Sequence, residues 1–236
     1  MSKVIDSVEQ TGKRIISCDK HCQGVLCSQI DGDYPRAFFL DPSDSPEVEV
    51  LIVGKNPGRA TPLEKEFYKV LGEKNEDKKA TYRDCETVLR AIARSHEYFL
   101  RPRHLLKELE LDEKGLLWAE AVFCEKSLKT QRVPTQTFKD CREQFLRGII
   151  ENLVPAGKHI VCLGKDAYKN VKELVGQDKR WKVIGINHPT GSRTFANYFA
   201  SERKRLIDRP LKDRVKEDFR KLEDQTSYFR WFKPPQ

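Results

Sequence analysis

The chain has no apolar run long enough to cross a membrane. The stretch from Val48 to Val53 is already interrupted by Glu49, well short of the ~20 residues a helical span needs. Met1 to Lys13 is polar and lacks the apolar core of a secretory signal, so a cytoplasmic protein is the expectation. There is no internal repeat, no long low-complexity tract and no Gly/Ser linker. A single domain over 1–236 is therefore expected, with an N-terminal cysteine-containing arm (about 1–45) and a charged C-terminal extension (about 201–236). Three signatures are missing as well: a Walker-type phosphate loop, a nucleophile elbow and a dinucleotide fingerprint. A nucleotide-binding protein or an unrelated α/β hydrolase thus has no support.

The chain does have bulk, positive charge and cysteine. At 236 residues with 38% hydrophobic side chains, it can bury a real core. Lys and Arg total 44 against 36 acids, a formal charge of +8, which suits a polyanionic partner without demanding one. The seven cysteines are odd in number and scattered, with no export signal ahead of them. That pattern argues against a disulfide framework and leaves metal ligation, catalysis or core packing open.

Four segments read as buried strands: Val48 to Val53, Leu116 to Phe123, His159 to Leu163 and Trp181 to Ile186. Each is short and rich in Val, Ile or Leu. Helical periodicity lies between them. Tyr82 to Ser95 aligns Cys85, Val88, Leu89, Ile92 and Ala93, and Thr135 to Leu153 aligns Phe138, Cys141, Phe145, Leu146, Ile149 and Ile150, while Lys165 to Val175 forms a third helix. Alternating strands and helices predict an α/β fold, a three-layer sandwich whose short, mostly parallel central sheet is flanked by helices. Ligands of such sheets bind beyond the carboxyl ends of the strands. After the first strand comes Gly54-Lys-Asn-Pro-Gly-Arg-Ala-Thr61, and after the last comes Asn187-His-Pro-Thr-Gly-Ser-Arg193. Both are tight turns bearing polar side chains, and they would converge on one pocket.

Gly-Lys-Asn-Pro-Gly at 54–58, paired with His-Pro-Thr-Gly-Ser-Arg at 188–193, resembles the two active-site motifs of the uracil-DNA glycosylase superfamily. Ala121 to Cys124, Arg132 to Pro134 and Asp140 to Leu146 resemble the central block of its iron-sulfur branch, often called family 4. The likeness implies a monofunctional DNA repair glycosylase that hydrolyses the N-glycosidic bond of uracil or a related deaminated or damaged base. It would act as a monomer on DNA, without a membrane. Such an enzyme flips the base from the stack, then needs a placed water, a donor to the departing base oxygen and an aromatic floor. Asn56 aligns with the water-positioning residue and His188 with the donor. Gly54, Lys55, Pro57, Tyr82 and Glu120 would surround the base, with Phe67 and Tyr68 competing with Tyr82 for the floor. Pro189, Thr190, Ser192 and Arg193 would hold DNA.

The likeness also implies a 4Fe-4S cluster on Cys18, Cys22, Cys124 and Cys141. Zinc is the lesser alternative, in which His21 could serve as a ligand, and Cys27 is a third candidate in the arm. Cys85 and Cys162 read as core. Two positions depart from the iron-sulfur pattern. Lys55 replaces an acidic residue, which brings the first motif nearer the mismatch-specific and single-strand-selective branches. Glu120 replaces the Asn that reads uracil, leaving the base and the direction of this carboxyl open. A non-catalytic damaged-DNA or single-strand-binding protein of the same fold is the alternative. Most of the extension is expected to be a solvated helix, with Tyr228, Phe229, Trp231 and Phe232 near its end packed back on the body.

Overall fold

The computed structural model describes residues 3–26, 38–58, 60, 65–66, 68–70, 73, 81–94, 96–108, 111, 114–127, 132–186, 188–189 and 227–229. In chain order these form α1 (Lys3–Ile16), β1 (Phe39–Asp41), β2 (Val50–Gly54), α2 (Tyr82–Ala93), α3 (Glu97–Glu108), β3 (Leu116–Glu120), α4 (Thr135–Cys141), a π-helical segment (Arg142–Leu146), α5 (Arg147–Leu153), β4 (His159–Leu163), α6 (Lys165–Val175), β5 (Lys182–Ile186) and β6 (Ser227–Phe229). The sheet order is β1-β3-β2-β4-β5-β6. β1 is antiparallel to β3, and every other pairing is parallel. The expected α/β architecture with a mostly parallel, helix-covered sheet is what is found.

The four strands read from the sequence are β2, β3, β4 and β5, fully or nearly buried along their lengths. Period-2 alternation sends their side chains to two separate cores. Leu51, Val53, Leu117, Ala119, Ile160, Cys162 and Val183 join one core with Phe138, Ile149 and Val171. Val50, Ile52, Leu116, Trp118, Val161, Leu163, Ile184 and Ile186 join the other with Leu89, Phe99 and Leu106. Cys162 is fully buried and Cys85 nearly so, as small core side chains.

Three features differ from the sequence expectation. Residues read as an arm include α1, which turns Val8, Gly12 and Ile15 inward, and β1, an edge strand of the sheet. Spaced apolar residues in a charged segment suffice to fasten a helix. The Thr135–Leu153 helix is continuous, but residues 142–146 take π geometry, a register change often found near functional groups. In the C-terminal extension, 227–229 is a short strand that the sequence reading did not foresee, its backbone pairing with β5. The rest of that extension, including Trp231 and Phe232, lies outside the described residues.

α2 begins where it does because Thr81 and Asp84 form a capping box. The Thr81 amide donates to Asp84 Oδ2 at 2.8 Å and the Asp84 amide to Thr81 Oγ1 at 3.3 Å, an arrangement worth about 1 kcal/mol. This places Tyr82 at the first helical position, against α1. A Cβ on Gly12 would lie 2.5 Å from Tyr82 Cζ, so the glycine is what allows the ring this close.

Candidate active site at the carboxyl edge of the sheet

β2, β3, β4 and β5 run in one direction, so Gly54, Glu120, Leu163 and Ile186 end at one edge. Gly54 and Glu120 are register partners. Each lies two positions beyond a residue of the core that contains Trp118, Gly54 after Ile52 and Glu120 after Trp118 itself, so both face that side of the sheet. There Tyr98 of α3 donates its hydroxyl to Glu120 Oε1 at 3.0 Å. Glu120 is only 1% exposed, so its direction is settled: it points into the layer formed by α3. A Cβ on Gly54 would fall 2.6 Å from Glu120 Cδ, and closer still to Glu120 Oε2 and Tyr98 Oη. Only glycine leaves room for this buried pair. Burial first, then Glu120, hold the Tyr98 phenol well above its usual 10, so it remains a protonated donor.

His188 stands next to this pair. Its ring centroid is 5.6 Å from that of Tyr98, and its Cβ lies 3.5 Å from the Cβ position of Gly164, the residue before α6. The turn after β2 reaches the same place. Lys55 Nζ forms an ion pair with Asp166 Oδ2 at 2.6 Å in the first turn of α6. Asn56 is half-buried and donates Nδ2 to the Pro57 carbonyl at 2.9 Å, which leaves Oδ1 as the side chain's acceptor. Pro57 is buried. Backbone bonds from Ala121 N to Gly54 O (2.9 Å) and from Val122 N to Lys55 O (3.1 Å) tie this turn to the exit of β3.

Burial, with the Lys55 ammonium as the second cause, holds His188 below its ordinary value of 6.5. The imidazole is therefore neutral at pH 7 and has one N–H to donate. The unfolded chain takes up this proton first as pH falls through about 6.5, so the native state loses stability there, and the loss levels off below the folded value. Lys55→Ala removes one cause of the shift and leaves burial in place. The His188 midpoint is expected to rise toward 6.5 in a histidine-resolved NMR titration, and an unmoved midpoint would show that Lys55 is not felt at the ring.

The structure brings Gly54, Lys55, Asn56, Glu120 and His188 to one edge, but not Tyr82. That ring lies in the opposite core with Phe38 and α1, its hydroxyl 3.4 Å from the Phe38 carbonyl. The sequence assignment of Tyr82 to the base is corrected accordingly: among the described residues, the aromatic set beside His188 is Tyr98. Tyr68 is buried against Cys85 and Val88, and Phe67 lies outside the described residues. In the second turn, Pro189 is buried and its carbonyl accepts from Arg101 of α3. Thr190, Ser192 and Arg193 lie outside the described residues. Tyr98 and Arg101 escaped the sequence reading because α3 contains Pro102, which obscures a helical pattern. The adjacent Tyr98-Phe99 pair was the available signal.

The cysteines occupy another corner. Arm residues Gly24 to Leu26 pair with Glu125 to Ser127 through the Val25–Lys126 bridge, with Leu26 N to Glu125 O at 2.9 Å and Ser127 N to Gly24 O at 3.2 Å. Thr137 Oγ1 donates to Gln23 O at 2.8 Å, and Lys20 pairs with Asp140 at 3.2 Å. These contacts draw Cys18 and Cys22 toward Cys124 and Cys141. Burial pushes the Cys141 thiol up to about 12; a backbone hydrogen bond from Phe123 opposes this, while Cys22 and Cys18 add to it through their charge. None of the six described cysteines is in a disulfide, His21 is exposed, and Cys27 lies outside the described residues. Among the described residues, no group of three His, Cys, Asp or Glu side chains is gathered as a metal site. Four thiols on segments already fastened together have the donor chemistry of a thiolate-ligated cluster, which would require the sulfurs to draw inward.

Residues 42–213 match the family model of the uracil DNA glycosylase superfamily. The matched stretch contains β2 to β5, both edge turns, Cys124 and Cys141, whereas Cys18 and Cys22 precede it. No curated protein matches the chain. Among the described residues, no helix is long and apolar enough to cross a membrane.

Proposed function

Since the chain belongs to the uracil DNA glycosylase superfamily, we propose that it is a monofunctional DNA repair glycosylase that hydrolyses the N-glycosidic bond of uracil or a related deaminated or damaged base. The observation that carries this is geometric: His188, packed on Tyr98 and against Gly164 at the start of α6, and the Asn56 turn, whose Lys55 pairs with Asp166 in the first turn of the same helix, meet at one edge of the sheet. In the reaction, the bond from C1′ to the base nitrogen breaks and its electron pair leaves with the base. The His188 N–H stabilises the charge that gathers on the base oxygen. Asn56 Oδ1 accepts a hydrogen bond from the water that adds to C1′, and that water's proton passes to solvent or to the departed base. An amide holds water in line without acting as a strong base.

Tyr98, set against His188, serves as the aromatic wall of the base pocket. The Glu120 carboxyl group, whose Oε1 accepts from Tyr98, suits a base edge that presents a ring N–H rather than one that presents only acceptors. Phosphate contacts would come from the Pro189 to Arg193 segment, where Thr190, Ser192 and Arg193 supply hydroxyl and guanidinium donors. Cys18, Cys22, Cys124 and Cys141 would hold a four-iron cluster, which when bound would tie the N-terminal segment to the loop after β3.

The decisive experiment is a base-release panel: oligonucleotides carrying uracil, hypoxanthine, xanthine or ethenocytosine, with abasic sites cleaved by alkali. Release of at least one base supports the proposal, and release of none overturns it. Tight, salt-sensitive binding without release would instead favour a non-catalytic damaged-DNA-binding protein. The same anaerobic preparation should be brown and contain iron and sulfide; colourless protein with zinc or no metal would refute the cluster.

A further inference from the structure

Glu125 is 2% exposed, and its Oε2 accepts the Ala60 amide at 2.8 Å across 65 residues of sequence. Ala60 belongs to the turn that carries Lys55 and Asn56. The Glu125 main chain is tied elsewhere: its carbonyl accepts from Leu26 N at 2.9 Å, next to the bridge between Val25 and Lys126. One residue thus joins three pieces: the N-terminal cysteine segment, the loop after β3 and the Asn56 turn. Near its start that turn is fixed by sheet-edge backbone bonds from Ala121 and Val122. At Ala60, Glu125 supplies the hold.

We propose that Glu125 is a positioning residue of the base-excision site, clamping the far end of the Asn56 turn and coupling it to the cysteine-bearing segment. The proposal rests on the glycosylase reading for its effect on rate, though not for the clamp itself. A buried side-chain oxygen that accepts a main-chain N–H fixes that amide in both distance and direction. Where a water must be held in line, a displacement of about 1 Å is enough to cost roughly 10²-fold in rate. Glu125 touches no reacting atom, so its loss should act on kcat while leaving the surface that binds DNA unaltered.

The test compares wild type, Glu125→Ala, Glu125→Asp and Glu125→Gln by base release on whichever panel oligonucleotide is turned over, by hydrogen exchange of the peptide spanning Gly54 to Ala60, and by iron content. Glu125→Ala is expected to lower kcat by roughly tenfold to 10²-fold with KM within about twofold, to speed exchange of that peptide, and to leave iron content unchanged. Glu125→Asp, one methylene short of Ala60, should fall between, and it supplies the answer if the alanine variant fails to fold. Glu125→Gln retains an acceptor oxygen and should recover most of the rate. Unchanged kcat and unchanged exchange in the alanine and aspartate variants would overturn the proposal, as would a loss that the glutamine variant does not recover. If wild type releases no base, the glycosylase reading fails, and the exchange experiment still decides whether Glu125 clamps the turn.

Discussion

Asn56→Ala and His188→Ala are each expected to lower single-turnover base release by roughly 10²- to 10³-fold, the usual cost of removing one preorganised polar group from a site where charge develops. The two losses have different causes and should separate experimentally. Without Asn56 the attacking water has no aligned acceptor, so the deficit should be similar for every base released. Without His188 the departing base oxygen lacks its donor. That deficit should shrink for bases whose anions are intrinsically more stable, since a better leaving group needs less help. Because burial and Lys55 keep the His188 pKa below its ordinary value, the contribution proposed for it is that of a hydrogen-bond donor rather than a cation. Activity should therefore hold through pH 7 and show no loss as pH rises through 6.5. Full single-turnover rates in either variant, with the protein folded, would remove that residue from the mechanism.

Gly54→Ala is expected to damage both stability and activity. The strand cannot shift to make room, because Gly54 is in register with Glu120 on β3 and the preceding Val53 with Cys162 on β4. A new methyl group would occupy the space of Glu120 Oε2 and Tyr98 Oη. Either the Tyr98–Glu120 bond breaks with both groups still buried, or the layer above separates. Overpacking and a lost buried hydrogen bond together cost roughly 2–4 kcal/mol, a fall in Tm of roughly 5–15 °C for a chain of this size. Base release should fall with it, because Tyr98 also packs against His188. Adding Tyr98→Phe removes the hydroxyl nearest the methyl and should recover part of the Tm, but not the activity. A Gly54→Ala protein that melts within about 1 °C of wild type would show that the layer above the strand accommodates a methyl group, and would overturn this prediction.

Much of the fold was legible because it is encoded locally. The runs at Val50, Leu116, His159 and Lys182 are apolar enough to be read as buried strands, and the periodicity between Tyr82 and Val175 marks covering helices. That Gly54 and Glu120 share a face follows only from the register of β2 on β3. What escaped was weakly patterned: α1, which buries only a few residues of a charged segment; α3, with its internal proline; and the short edge strands β1 and β6, which gain their definition from the strands they join. The choice between Tyr82 and Tyr98 illustrates the limit. Tyr82 opens a well-patterned helix, but that helix turns it toward Gly12 on the opposite side of the sheet, and no periodicity within α2 reports which layer it enters.

By itself, the sequence determined the parallel α/β layering, the edge at which chemistry would be sought and the two turns bearing Asn56 and His188, because strand composition and turn residues act over a few positions. Only the tertiary structure decided what surrounds them: Tyr98 on Glu120, Lys55 on Asp166, Arg101 on Pro189 and Glu125 on Ala60. Each of these contacts joins residues distant in sequence and forms because whole layers pack in one register, a global minimum that no local pattern specifies.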